Sequence, residues 1–325
     1  MSCFKQDLNY TNQNQKQNPP KWGIQINRWH RLLDVPTPFL QIVEHNLFNV
    51  NIPEDILTVL VLYEVRLQNS VAFKSLQKAL EYGNLTGHLF IYDNSATSQQ
   101  VVEDEKWTIA YQHDPANGGV SRAYNQAFLY AKSHDLKWLL LVDQDTEFQK
   151  DFFSKYQDAV ASYTDCQVFV PRLLDEKGLI SPFKPGWGSG KRVTNVANGK
   201  NILDEIHAVN SGLLVSVELF EAVGGYDERL RLDFSDFSFF KRLGQKTNFI
   251  GVVDARCQHE LSSLKKTNLK AAVTRFDIYV QGAKVMRRDE RQGFSYIARA
   301  LLRAIKLSFQ YRSVRFIGSL LSYQS

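Results

Sequence analysis

The chain has little that would cross-link it or carry it through a bilayer. Its 325 residues include only three cysteines, Cys3, Cys166 and Cys257. They are odd in number, far apart and without a Cys-x-x-Cys pair. That excludes a disulfide framework and a zinc cluster, and it points to a reducing cytoplasm. No apolar run approaches the roughly 18 residues of a membrane-spanning helix, so none is expected. The first 20 residues are polar and rich in Gln and Asn, so no signal peptide is expected. Acid is missing from one end. From Arg291 onward there are six Arg or Lys residues and no Asp or Glu. That tail accounts for the net charge of +5. The near-neutral remainder argues against a nucleic-acid partner.

What is present is ordinary globular composition, 44% hydrophobic and 22% charged, enough for a sizeable core. Residues 1–20 read as a flexible N-terminus. Residues 21–55, with Trp22, Trp29 and Phe39, read as an extension packed on the main domain. The main domain spans 56–270, and 271–325 form a basic helical extension. Ile56 to Tyr63 is a continuous apolar run, as a strand buried on both faces would be. Helical spacing follows in Val71, Leu76, Ala79 and Leu80. Further strands are expected at 89–92, 107–111 and 138–142. A helix is expected from Val120, with Ala123, Ala127, Leu129 and Tyr130 near its apolar face. Such alternation predicts an α/β fold with a mostly parallel sheet. Ligands of such sheets bind beyond the carboxyl ends of the strands. Tyr63-Glu64, Asp93-Asn94 and Asp143-Gln144-Asp145 therefore converge on one edge.

Asp143 and Asp145 would share a face in extended geometry, and their charges would repel without a cation. Mg²⁺ or Mn²⁺ would resolve this, with a diphosphate adding oxygen ligands. A solvated turn that caps the next helix is the plainer alternative. Asp143-Gln144-Asp145-Thr146 also fits the Asp-x-Asp-x-Thr of haloacid-dehalogenase-like phosphatases, with Asp143 as nucleophile. Against that, three strands precede the motif and no downstream Gly-Asp-x-x-x-Asp follows.

Several segments in order resemble one family. They are the strand ending Leu62-Tyr63-Glu64, then Asp93-Asn94-Ser95, then Asn117-Gly118-Gly119 through Asn125, then the Asp-x-Asp. Asn210-Ser211-Gly212, Gly224-Gly225-Tyr226-Asp227-Glu228, Asp233-Phe234-Ser235-Asp236 and a late His259 follow. Across 56–265 the chain is similar to the inverting glycosyltransferases of family 2, with the GT-A fold, above all to rhamnosyltransferase-like members. The resemblance implies a sugar transferase with a dTDP- or UDP-linked donor, a saccharide or glycolipid acceptor and a Mg²⁺ or Mn²⁺ cofactor. A non-catalytic nucleotide-sugar-binding relative remains the other class.

The same resemblance implies roles. Tyr63 and Glu64 line the nucleotide pocket, Asp93 contacts the base, and Asn117 with Gly119 lets the backbone approach the nucleotide. Arg122 and Asn125 lie nearby. Asp143 touches ribose or metal, and Asp145 with His259 ligates the metal. An Asx-turn at Asp93, a plain turn at 117–119 and a structural His259 are the alternatives. Inversion needs a base. Asp233 is expected in that role with Asp236 in support, the two sharing a face at a helix start. N-capping by Asp233 or Ser235 is the alternative. The stretch 181–200, with Pro182, Pro185, Gly186, Gly188 and Gly190, reads as an acceptor-side loop. Phe294, Ile297, Leu301, Leu302, Ile305 and Phe309 predict an amphipathic helix with Arg299, Arg303 and Lys306 on other faces. It would either contact the inner face of the cell membrane or pack on protein.

Overall fold

In the computed structural model, residues 51–186, 189–259, 268–290 and 293–322 are described. The expectations for residues 1–50 and for Gly188 lie outside them. Strands β1 (Ile56–Leu62), β2 (Gly87–Asp93), β3 (Trp107–His113) and β4 (Trp138–Asp143) form the parallel half of the sheet, in the order β3-β2-β1-β4. Helices α1 (Val71–Gly83) and α2 (Val120–Ser133) lie in the connections. Register decides where the polar ends fall. Leu62 is level with Asp93, and Val61 with Asp143, so both acids emerge at one edge.

Alternation along β1 feeds two apolar layers. Leu57, Val59 and Val61 join Ala123, Tyr124 and Ala127 of α2 on one face. Ile56, Leu60 and Leu62 join Leu76 and Leu80 of α1 on the other. Helix α3 (Phe152–Ser162) completes that second layer through Phe152, Phe153 and Tyr156. Each such large side chain contributes about 1.5–3 kcal/mol on burial, which is why strands without polar faces are stable here. Leu129 departs from the expected helix face. It is 57% exposed, and the buried stripe of α2 is carried by Ser121, Ala123, Tyr124, Ala127 and Ala131.

Beyond β4 comes the short β5 (Thr146–Glu147), then β6 (Val168–Asp175) and β7 (Gly178–Ser181). The stretch expected as a plain loop holds a small hairpin, β8 (Lys184–Gly186) with β9 (Ser189–Lys191). Strand β10 (Gly199–Ile202) forms the far edge of the sheet. Strand β11 (Leu213–Ser216) enters antiparallel between β4 and β6. Strand β12 (Phe249–His259) runs parallel to β6 and ends on His259, level with Thr146 of β5. The sheet thereby returns its last strand to the edge where β4 ends.

Helices α4 (Val217–Val223), α5 (Ser235–Leu243), α6 (Leu269–Asp289), α7 (Phe294–Tyr311) and α8 (Arg315–Ser322) follow. Ala272, Phe276, Val280, Ala304 and Phe316 form one core among the last three. A second core joins Ala283, Met286, Tyr296 and Ala300 to Leu230 and Phe234. Phe234 sits beside Asp233, so the C-terminal helices pack directly against the segment that carries the expected base. Cys166 and Cys257 are buried free thiols.

Candidate active site

Asp143 ends β4, and Gln144-Asp145 form a turn, so the expected extended Asp-x-Asp is not what holds the acids together. Gln144 does that work. Its Oε1 accepts from the Tyr63 backbone N–H at 2.8 Å and its Nε2 donates to the Tyr63 carbonyl at 3.3 Å. A side-chain amide thus continues the pairing that the strands have stopped making. The Gln144 carbonyl in turn accepts from Ser70 Oγ and the Ala72 N–H at the head of α1.

A second line of contacts runs beneath the turn. The Asp143 N–H donates to Ser211 Oγ at 3.1 Å. Ser211 Oγ and Thr146 Oγ1 are 2.7 Å apart, and Thr146 Oγ1 meets His259 Nδ1 at 2.6 Å. Ser211 and Thr146 are fully buried, where neutral hydroxyls must be paired. His259 Nδ1 also lies 3.7 Å from Asp145 Oδ1. The ring's Nδ1 side is therefore engaged, and a ligand would meet Nε2. Burial pushes the Asp143 carboxyl up to about 6, with His259 lowering it and Asp145 raising it. A cation would relieve that strain. Among the described residues no three His, Cys, Asp or Glu side chains make a ready metal cage. Asp143 and Asp145 gather hard oxygen donors with His259 beside Asp145, short of a complete site, so a bound cation would need further oxygens from its ligand.

Asp93 is held by partners within the protein. It is fully buried, and Oδ1 accepts from the Ser95 N–H at 3.0 Å, the Asx-turn alternative. Its Oδ2 accepts from Gln99 Nε2 at 2.8 Å and from Tyr111 Oη at 2.9 Å. Burial alone would raise its pKa, but these bonds outweigh it and hold the carboxyl below its usual range. What Asp93 shapes is the loop beside it. Ser95 Oγ accepts from the Glu64 N–H, and Glu64 Oε1 accepts from the Ala96 N–H. Tyr63 is 53% exposed at the mouth of this edge.

At Gly119 the close neighbour within the protein is the Arg231 backbone. The Val120 N–H donates to the Arg231 carbonyl at 2.8 Å, and the Arg231 guanidinium donates to the Asn117 carbonyl. A Cβ on Gly119 would stand 2.1 Å from that Arg231 oxygen, at a φ of +89°. Gly119→Ala is expected to cost at least about 3 kcal/mol, read as a lowered urea midpoint. An unchanged midpoint would show that the loop is not clasped this way. Arg122 is exposed and lies across Gly118 toward Asp114, whose carboxylate accepts from the Gly118 N–H at 2.9 Å. Asn125 fastens α2 to the 224–228 turn through both Tyr226 backbone groups and Glu228.

Asp233 and Asp236 do not share a helix face. Helix α5 starts at Ser235, and its N-cap is Phe234 in the left-handed region at φ 68°, with no side-chain cap. Ser235 Oγ donates instead to the Leu232 carbonyl. The bend points Asp233 at the C-terminal helices. Arg275 of α6 donates to both its oxygens, and Arg303 of α7 stands 3.8 Å away over the ring of Tyr279. Gly282 lets α6 pass close to Asp233 and Phe234, where a Cβ would lie 3.0 Å from the Phe234 ring. Asp236 has no cationic partner among the described residues. Burial, with the nearby charges of Asp233 and Asp143, pushes its carboxyl up to about 7 against the lowering effect of the Phe237 N–H. A cavity of about 430 Å³ bounded by Tyr226, Arg242 and Met286 is lined by none of Asp143, Asp145, Asp233 and Asp236.

Residues 72–212, from α1 through Gly212, match the family model described as "Glycosyl transferase family 2". Over that stretch the chain is similar to the family 2 glycosyltransferases. Its mostly parallel sheet flanked by helices, with helices after it, is the α/β arrangement expected from the sequence. A curated relative, the dTDP-rhamnosyl transferase RfbF of Shigella flexneri, is 28% identical over 123 residues. That match covers 37% of this chain and 41% of the relative, so the chain spans about two fifths of its length. Among solved structures, S. aureus TarS 1–349 in complex with UDP aligns at 12% identity over 83% of this chain and 91% of its own, with a TM-score of 0.45. Another S. aureus TarS structure aligns at 14% identity over 78% and 44%, with a TM-score of 0.44. Sequence reasoning missed Gln144 as a clip, the Ser211–Thr146–His259 line and the arginines on Asp233. The Asn-Ser-Gly and Asp-x-Asp-x-Thr segments were visible, but nothing local marked their contact.

Proposed function

We propose that the chain transfers a sugar, with inversion, from a dTDP- or UDP-linked donor to a saccharide or glycolipid acceptor in cell-envelope polysaccharide assembly. The family 2 match and the rhamnosyl transferase relative support the reaction class and favour rhamnose as the sugar. One observation carries the catalytic assignment. Of the two acids at the start of α5, Asp233 is taken by Arg275 and Arg303, while Asp236 has no cationic partner among the described residues, accepts only backbone N–H groups and feels the charge of Asp143. We therefore assign the base to Asp236 and a positioning role to Asp233.

Asp143, Asp145 and His259 would hold Mg²⁺ or Mn²⁺, which when bound supplies charge neutralisation for the departing diphosphate. Gln144 and the buried Ser211–Thr146 line keep those side chains aimed. Tyr63 and Glu64 bound the nucleotide on the neighbouring loop. Asp236 takes the acceptor hydroxyl's proton as the new bond forms on the face opposite the leaving group. A carboxyl raised to about 7 is well matched to that step near neutral pH.

The test is a thermal-shift panel of nucleotides and nucleotide sugars with Mn²⁺, followed by product analysis for anomeric configuration. A cognate nucleoside diphosphate at about a hundred times its Kd adds roughly 2.7 kcal/mol, a shift of several degrees. Absence of any nucleotide effect, together with release of phosphate from a phosphomonoester, would return the chain to the phosphatase class.

A further inference from the structure

We propose that the outward face of α7 and α8 docks on an anionic lipid bilayer and lies in its interface without crossing it. The packing of α7 is inverted relative to an ordinary buried helix. Its inward side carries Ala300 and Ala304, both fully buried, with Tyr296. Ile297 and Leu307 also pack inward, but five large apolar side chains point away. Phe294 is 68% exposed, Leu302 67% and Phe309 81%. At about 100° per residue, these three and Leu301 and Ile305 fall in one stripe roughly 100° wide. Helix α8 repeats the arrangement. Phe316 is buried, while Val314, Ile317 and Leu321 are exposed at spacings of three and four. Scattered surface leucines need no partner, but a stripe of five large apolar residues on one helix face, followed by three more on and before the next helix, does.

Charge decides the partner. The stripe on α7 is flanked by Arg299 and Lys306, and Arg312 and Arg315 follow, with no acid after residue 290. A second copy of the chain would bring two such basic flanks together. Acidic headgroups with acyl chains beneath satisfy both the charge and the apolar stripe. Among the described residues no helix is long and apolar enough to cross a membrane, which leaves the interfacial arrangement.

The site lies close to this face. Arg303, on the opposite side of α7 from the stripe, reaches Asp233. One helix diameter, about 10 Å, therefore separates the docking face from the base segment. An acceptor held in the bilayer by a lipid anchor would present its sugar within that reach. This last step rests on the proposed transfer reaction, whereas the docking itself does not.

The test is cosedimentation of the full chain with vesicles of phosphatidylcholine alone or mixed with phosphatidylglycerol. Wild type is expected to bind the mixed vesicles at least about tenfold better than the neutral ones. The pair Leu302→Glu/Phe309→Glu is expected to lose at least tenfold of that binding, and Lys306→Gln/Arg315→Gln a smaller part. Unchanged circular dichroism and nucleotide-induced thermal shift show that the variants fold. Wild type remaining in the supernatant, or the glutamate pair binding as wild type does, overturns the proposal. So does a wild-type dimer, split by the glutamate pair, that ignores vesicles. Vesicle binding without turnover would count against the transfer reaction and leave the docking standing.

Discussion

Asp236→Asn is expected to lower turnover about a thousandfold while leaving nucleotide binding near wild type. General-base catalysis contributes typically 10²–10⁴-fold, and the amide is nearly isosteric. The same change is expected to stabilise the protein. The folded-state pKa of Asp236 is raised from an ordinary carboxyl value to about 7, so between about pH 4 and 7 the folded chain holds a proton that the unfolded chain has released. Stability is lost as pH rises through that window, and the asparagine variant escapes the loss. Its melting temperature should exceed wild type by about 2–5 °C at pH 8, and the gap should close toward pH 4. Wild-type turnover should climb with pH on an acid limb at or below 7, because a cation at Asp143 would draw the value down. Matched kinetics and melts at several pH values check both halves. Full activity in the variant would move the base elsewhere, and Asp233→Asn is the next substitution to measure.

Asp145→Ala is expected to lower turnover by about 10²–10³-fold, the equivalent of several kcal/mol of lost Lewis-acid stabilisation. It should also abolish the part of the nucleotide thermal shift that depends on Mn²⁺. Chelation of wild type should reproduce both losses, and chelation of the variant should add little. A variant that keeps its metal-dependent shift would show that Asp145 and His259 serve the fold rather than the donor.

The sheet was legible in the sequence because its strands carry their burial in plain form. Ile56–Leu62 has no polar face, so a strand covered on both sides was the direct reading. The acids at the strand ends followed from register. What was illegible came from long-range pairing and from one backbone choice. Asp93 looks the same in sequence whether or not Tyr111 of the next strand bonds its carboxylate, since no spacing encodes which lone pairs are taken. The start of α5 was misread because Phe234 adopts a left-handed conformation that a bulky residue rarely takes. That one residue turns Asp233 away from the helix. Its partner Arg275 lies 42 residues downstream, where the helical pattern shows a basic position and no destination. Thr146 was noticed for a motif it does not serve, since its hydroxyl joins Ser211 to His259.

The two walls of the site are fastened by different kinds of force. The donor side hangs on neutral groups, the Gln144 amide on the Tyr63 backbone and the hydroxyls of Ser211 and Thr146. The base side hangs on an ion pair, Asp233 with Arg275, that is partly open to solvent. Dissolved ions screen charges that lie farther apart than about 8–10 Å and act weakly on a partly buried pair in contact, so added salt bears little on either wall. Removing one charge does: Asp233→Asn would unfasten the second wall while the turn carrying Asp143 and Asp145 keeps its shape.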